Sequence, residues 1–170
     1  ISDPAIDIHG DVRNVVVDKY TGLWLSFQNE QNIYRYEDGI LTEIIIPESI
    51  ERLDPLTVDN GRGLWCKTND QFHPYLVRHI NGVWESHHEI VYQNAVESEI
   101  TGIDMGHDGS IWVSITDNLT DSRFPNYSFR IFCKKSDTDI FKAIYSDNLG
   151  AALKNVDKEG CLWISRYIFL

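Results

Sequence analysis

An all-β fold of about four repeats, each a small antiparallel sheet, is predicted by three features of this sequence. A tryptophan recurs at Trp24, Trp65, Trp112 and Trp163, at intervals of 41, 47 and 51 residues. Each follows a turn built from Asp and Gly: DKYTGLWLS at 18–26, VDNGRGLWCKT at 58–68, MGHDGSIWVSI at 105–115 and VDKEGCLWISR at 156–166. Strand-length apolar runs bounded by Gly, Pro, Asn and Asp fill the intervals, and no helical period persists beyond a turn or two.

In the first repeat Val15-Val16-Val17 leads through Asp18 and Gly22 into Leu23-Trp24-Leu25, two short strands joined by a tight turn. Asp accepts local backbone N–H bonds, Gly supplies the positive φ of a tight hairpin, and Trp is expected to fill the space between neighbouring sheets. IYRYEDGIL at 33–41 adds a second hairpin, whose Asp38-Gly39 signals a type I′ turn. The second repeat turns first at Asp59 and Gly63 and again at Asn81-Gly82, within LVRHINGVW at 76–84. In the third, Asp108 and Gly109 shift the turn, and RIFCKKSDTDIFKAI at 130–144 forms the second hairpin through a longer turn without Gly. The fourth has only ISRYIFL after Trp163, too little for its second hairpin. Its completion is expected from the N-terminal AIDI segment as an added strand. A fragment of a larger assembly, or two copies combined, are the alternatives, since an open edge of unpaired strands invites aggregation.

Two hairpins per repeat make four-stranded antiparallel sheets, and such sheets repeating every 40 to 50 residues bury their faces only against one another. The expectation is a single β-propeller domain over 1–170, with about four blades, the last incomplete. VVVDKYTGLWLS, NVDKEGCLWIS and TVDNGRGLWCKT resemble the bacterial two-component-regulator type of propeller repeat: an apolar strand, Asp, two or three residues, Gly, Leu or Ile, Trp. IDMGHDGSIWVS keeps Asp108, Gly109 and Trp112 with the turn displaced. The resemblance implies a sensory or protein-binding module, because one fold hosts many activities.

Charge and composition narrow the partners. Twenty-six acidic against 15 basic residues give a net charge of −11, which repels nucleic-acid phosphates and attracts a basic protein. No apolar stretch approaches the roughly 20 residues of a membrane span, so no membrane partner is expected. Three cysteines without metal-ligand spacing favour a reducing compartment, hence the cytoplasm, or the periplasm for a sensor fragment.

Chemistry is harder to place. The sialidase Asp-box sets Asp two residues before Gly, whereas Asp157 lies three before Gly160 and Asp108 lies immediately before Gly109. His87-His88-Glu89 is the one dense group of metal-ligating types, and adjacent strand residues point to opposite faces, so no metal or other cofactor is expected. No G-x-S-x-G elbow or phosphate-binding Gly loop appears, and the expectation is a chain without enzymatic activity. The largest departure from the repeat is TDNLTDSRFPNYS at 116–128. Its Asp117, Asp121, Arg123, Phe124 and Tyr127 combine charge with residue types enriched at interface hot spots, and they are the expected partner-binding residues. The function expected is a protein-binding propeller, acting as an acidic inhibitor or immunity protein for a basic partner such as a toxin nuclease. The alternatives are a ligand-binding sensory fragment of a two-component regulator, and a propeller lyase or hydrolase.

Overall fold

Strand follows strand through the chain, each joined to the next by a hairpin turn or a short connection. The computed structural model describes residues 10–19, 22–50, 53–68, 73–90, 95–120, 127–135, 140–147 and 151–166, where every regular element is a β-strand. The first sheet comprises β1 (Val12–Val17), β2 (Leu23–Phe27), β3 (Ile33–Glu37) and β4 (Ile40–Ile44). The second comprises β5 (Leu53–Val58), β6 (Leu64–Thr68), β7 (Leu76–Ile80) and β8 (Val83–His87). The third comprises β9 (Glu97–Met105), β10 (Ile111–Asn118), β11 (Tyr127–Lys134) and β12 (Lys142–Asp147), followed by β13 (Ala151–Val156) and β14 (Leu162–Arg166). Three sheets are four-stranded in simple sequential order, and the last is a two-stranded pair. This is the all-β fold of propeller-type blades. The AIDI segment proposed to complete the last blade lies outside the described residues.

The same register recurs in each repeat. Trp24 sits opposite Val16 and Arg35, Trp65 opposite Thr57, Trp112 opposite Asp104 and Cys133, and Trp163 opposite Asn155. The pairing of first and second strand is interrupted by a one-residue irregularity in all four repeats, a device that sharpens strand twist. The second hairpins turn as their sequences predict: Asp38 and Gly39 have φ of 52° and 79°, Asn81 and Gly82 of 51° and 79°. Two successive positive φ values define the I′ turn whose twist matches the flanking strands.

The first hairpins divide on the expected glycine φ: Gly109 and Gly160 are positive, at 82° and 81°, whereas Gly22 and Gly63 are not. At Gly63 the glycine serves close approach rather than positive φ, which falls instead on Arg62 at 66°. A Cβ on Gly63 would lie 2.6 Å from Arg78 Nε and 2.8 Å from Asp59 Oδ2, and one on Gly22 would lie 2.6 Å from Asp18 Oδ2. The turn carboxylate therefore occupies the volume a side chain would need.

The chain forms two compact units, residues 1–69 with 77–85 and residues 70–76 with 86–170. In the first, Phe27, Ile33, Leu53, Leu64, Trp65 and Val77 are fully buried. Arg13 Nη2 on β1 reaches Asp54 Oδ2 on β5 at 3.0 Å, and Trp24 meets the ring of His79 edge-on at 6.4 Å. In the second, Val113, Ile115, Phe129 and Ile131 form the centre of the third sheet. Here β9 and β13 approach closely: Val156 N donates to Asp104 Oδ2 at 2.6 Å and Leu153 N to Ser114 Oγ at 3.0 Å. A Cβ on Gly102 would lie 2.5 Å from the Leu153 carbonyl oxygen, so only glycine admits this approach.

The tryptophans are not equivalent. Trp24 and Trp65 are 4% and 1% exposed, Trp112 is half-buried, and Trp163 is 61% exposed. The expected filling role therefore fails at Trp163, because its described sheet has no third strand to supply a covering side chain. Trp65→Ala is expected to cost about 3 to 5 kcal/mol, as for other buried aromatics, and Trp163→Ala no more than about 1 kcal/mol. Denaturant unfolding of the two variants measures the difference.

Candidate functional site

Every first hairpin is closed by the same backbone bond: Asp18 N to Gly22 O at 2.9 Å, Asp59 N to Gly63 O at 2.9 Å, Gly106 N to Ser110 O at 2.8 Å, and Asp157 N to Cys161 O at 3.1 Å. Three of the four begin on an aspartate whose carboxylate then gathers donors. Asp59 Oδ1 accepts from Gly61 N and Gly63 N at 2.8 and 2.9 Å, while Oδ2 accepts from Trp65 Nε1 at 2.9 Å and Arg78 Nε at 2.7 Å. The Arg78 guanidinium also lies over the Trp65 ring, 5.7 Å from its centroid. In the first sheet Asp18 Oδ1 accepts from Gly22 N at 2.9 Å, Arg35 Nη2 lies 3.5 Å from Asp18 Oδ2, and the guanidinium lies 5.3 Å from the Trp24 centroid.

The third sheet departs from this arrangement. Gly106 holds the position that Asp18 and Asp59 hold elsewhere, and the carboxylate comes from Asp108 two residues later. Ser110 donates to Asp108 Oδ1 through both its hydroxyl, at 2.6 Å, and its amide, at 3.0 Å, and its Oγ accepts from Trp112 Nε1 at 2.8 Å. The Ser110 hydroxyl and then the Ser110 amide hold the Asp108 carboxyl below its ordinary 3.8. Beside this turn lies a cleft of about 240 Å³, lined by Gly106, His107, Asp108 and Trp112 on one side and by Val156, Lys158 and Glu159 on the other. In the fourth turn Asp157 accepts from Cys161 N at 2.8 Å and Trp163 Nε1 at 3.0 Å, and these donors likewise depress its carboxyl.

The second candidate surface is the far end of the third sheet, where the expected partner-binding residues fall. Asp121, Arg123 and Phe124 lie outside the described residues. Tyr127 opens β11, half-buried, opposite Asn118. Asp117 corrects the expectation of an exposed acidic contact, for it is 0% exposed. Ser98 Oγ donates to its Oδ1 at 2.7 Å, and Arg130 grips it with a fork, Nε to Oδ2 at 2.5 Å and Nη2 to Oδ1 at 2.9 Å. A carboxylate removed from water needs such partners, and the neighbouring strands β9 and β11 supply them. Glu97 and Glu99, opposite Asn118 and Thr116, are the exposed acidic residues here. They alternate with buried Ser98 and Ile100, a pattern of period two that could have revealed them in the sequence.

The histidines are separated. His87 is buried, with Nδ1 3.0 Å from Glu89 Oε1 and its ring edge-on to Phe141, whereas exposed His88 stacks on Tyr75 at 4.0 Å. Among the described residues no group of three or more His, Cys, Asp or Glu is placed to hold a metal ion.

No protein-family model matches the chain, and neither does any curated protein. Solved structures do share its fold. One, described as a streptogramin B lyase structure, is 15% identical over 92% of this chain and 65% of its own, with a TM-score of 0.47. Another, a catalytically inactive virginiamycin B lyase from Staphylococcus aureus with quinupristin, is 16% identical over 91% of this chain and 62% of its own, also with a TM-score of 0.47. This chain thus spans less than two thirds of either length. Both neighbours are enzymes by their descriptions, which corrects the expectation that a chain of this fold has no enzymatic role. At such identities the likeness concerns the fold alone.

Asp117→Asn is expected to destabilise the chain by about 2 to 3 kcal/mol, since the part-buried Arg130 guanidinium loses the charge that answers it. Thermal or urea unfolding checks this. Asp108 gives a pH prediction. Its depressed carboxyl contributes stability above its ordinary 3.8, and that contribution is lost as pH falls through the lower folded value. Asp108→Asn should therefore flatten the acid limb of a stability-against-pH curve without abolishing it, because Asp157 is depressed in the same direction.

Proposed function

We propose that the chain is a protein-binding module of propeller type that captures a basic partner through the end of its third sheet. The observation that carries this reading is the lengthening of that sheet. Strands β9, β10 and β11 run for 9, 8 and 8 residues, against 5 in β2, β3, β6 and β7. Three further residues extend a strand by about 10 Å. The added length takes in both flanks of the 116–128 insertion, residues 116–118 in β10 and 127–128 in β11, and Asp117 with Arg130 and Ser98 ties those flanks together. Exposed Glu97 and Glu99 border them with negative charge.

The chemistry then divides between steering and anchoring. A net charge of −11 draws a cationic surface in, and such steering raises association rates by roughly 10- to 1000-fold at low salt. Aromatic side chains act after encounter, by filling pockets and excluding water, which slows dissociation. Phe124 and Tyr127 are assigned that role, and Glu97, Glu99 and Asp121 the steering role. The likeness to two-component-regulator-type repeats fits a module that binds. An acidic inhibitor or immunity protein covering a basic toxin nuclease is the narrower version of this reading.

The test follows from that division. With a partner isolated by pull-down, surface-plasmon kinetics should show association slowing as salt rises while dissociation changes less. Glu97→Gln with Glu99→Gln and Asp121→Asn should slow association, and Phe124→Ala and Tyr127→Ala should speed dissociation. Wild-type kinetics from all of these folded variants would refute the assignment.

A further inference from the structure

The turn and tryptophan beside this cleft have counterparts in each of the first two sheets, and comparing the three shows what is missing here. Trp24 and Trp65 each lie beneath an arginine of the same sheet that also reaches the turn carboxylate: Arg35 toward Asp18, and Arg78 on Asp59 at 2.7 Å. Arg78 satisfies an acceptor on Asp59 and covers the Trp65 face at once, and Arg35 stands over Trp24 within ion-pair distance of Asp18. Opposite Trp112, where Trp24 has Arg35, the third sheet places Cys133. A thiol is short and neutral, and burial pushes this one further from ionising. The third sheet therefore keeps the carboxylate and the indole but, among the described residues, has no arginine between them.

The carboxylate also stands where such a cation would meet it. A Cβ on Gly106 would fall 2.5 Å from Ser110 Oγ and 2.8 Å from Asp108 Oδ1, so these two side chains fill the place taken elsewhere by the turn aspartate. Both hydrogen bonds from Ser110 go to Oδ1, and Oδ2 accepts none from the described residues. Across the cleft stands Glu159, with Lys158 Nζ 3.5 Å from its Oε1 and largely in water. At about 240 Å³ the cleft is below the roughly 300 to 1,000 Å³ of sites for drug-sized ligands, and its scale is that of one side-chain head group.

We propose that the cleft formed by Asp108, Trp112 and Glu159 is a receptor for a guanidinium group, the side chain of an arginine presented by a partner protein. The proposal rests on the reading of a basic partner and names the group that this second surface takes. Guanidinium is favoured over ammonium because it is planar, presents two donors to a carboxylate, as Arg78 does to Asp59, and lies over an indole, as Arg35 and Arg78 both do. Lys135 and Lys158 supply competing ammonium groups nearby. Lys135 exerts its charge on Asp108, and it has none of the geometric advantages of the guanidinium.

The experiment needs no identified partner. The short peptide acetyl-Gly-Arg-Gly-amide is titrated into the full chain and followed by two-dimensional NMR, with the Trp112 indole N–H as reporter. Its lysine and citrulline counterparts are the controls. The arginine peptide should bind saturably, the lysine peptide about tenfold more weakly, and the neutral citrulline peptide more weakly still. Asp108→Asn and Glu159→Gln, both in exposed turns, should each weaken the arginine peptide, Asp108→Asn by about tenfold. Cys133→Arg, which rebuilds the arrangement of the first two sheets, should abolish binding, and Lys135→Gln should strengthen it.

Equal binding of the arginine and citrulline peptides, no saturable binding, or indifference to Asp108→Asn would overturn the proposal. Should Cys133→Arg fail to fold, the two turn variants still decide. Peptide binding together with unaltered partner kinetics in the Tyr127 and Phe124 variants would refute the third-sheet capture reading and leave this site standing. The reverse pattern would remove only the guanidinium site.

Discussion

A buried carboxylate immediately after the first strand of a sheet is the constraint on which the repeat depends. Asp18 and Asp59 are nearly inaccessible to water, and an ionised carboxylate there is tolerable only if its lone pairs are occupied. Each neighbouring feature of the sequence answers that need. Glycine supplies an amide that can approach without a Cβ in the way. At Asp59, tryptophan supplies an indole N–H from six residues on and arginine a charged donor from the adjoining strand, whereas at Asp18 the Trp24 indole does not take part and the Arg35 guanidinium lies 3.5 Å away. Hydrogen bonds to a charged group contribute about 1.5 to 3 kcal/mol each, while stranding such a charge costs more.

Where the set is incomplete, the molecule gains surface. In the third sheet the carboxylate moves to Asp108 and the arginine is absent, and a cleft opens beside Trp112. In the fourth, Asp157 keeps its indole and amide donors but its sheet, among the described residues, has no third strand, and Trp163 is left exposed. The same physical rule thus produces a closed core in the first two repeats and accessible groups in the last two.

Asp117 and Arg130 apply this chemistry at the opposite end of the third sheet. No turn glycine takes part, yet the bonding is alike: a carboxylate fully out of water, held by a forked guanidinium and a hydroxyl, with the guanidinium 5.0 Å from the centroid of the Phe132 ring. That pair pins the added length of β10 and β11 together.

Local chemistry was legible in the amino-acid sequence because local interactions create it. Asp38-Gly39 and Asn81-Gly82 demand I′ turns whatever surrounds them, and alternating apolar residues around each tryptophan demand strands. The spacing of the tryptophans then determined a repeating sheet. What only the tertiary structure decided are matters of partnership across the sheet. Asp117 reads as a loop acid until Arg130 and Ser98 are seen to enclose it. The pairing of Trp112 with Cys133 is hidden by the insertion between them. Gly106 in place of a turn aspartate is a deletion of chemistry that Asp108 and Ser110 conceal. Burial of a charge, and the absence of a partner for one, are properties of neighbours brought together by folding, and no pattern read along a single strand contains them.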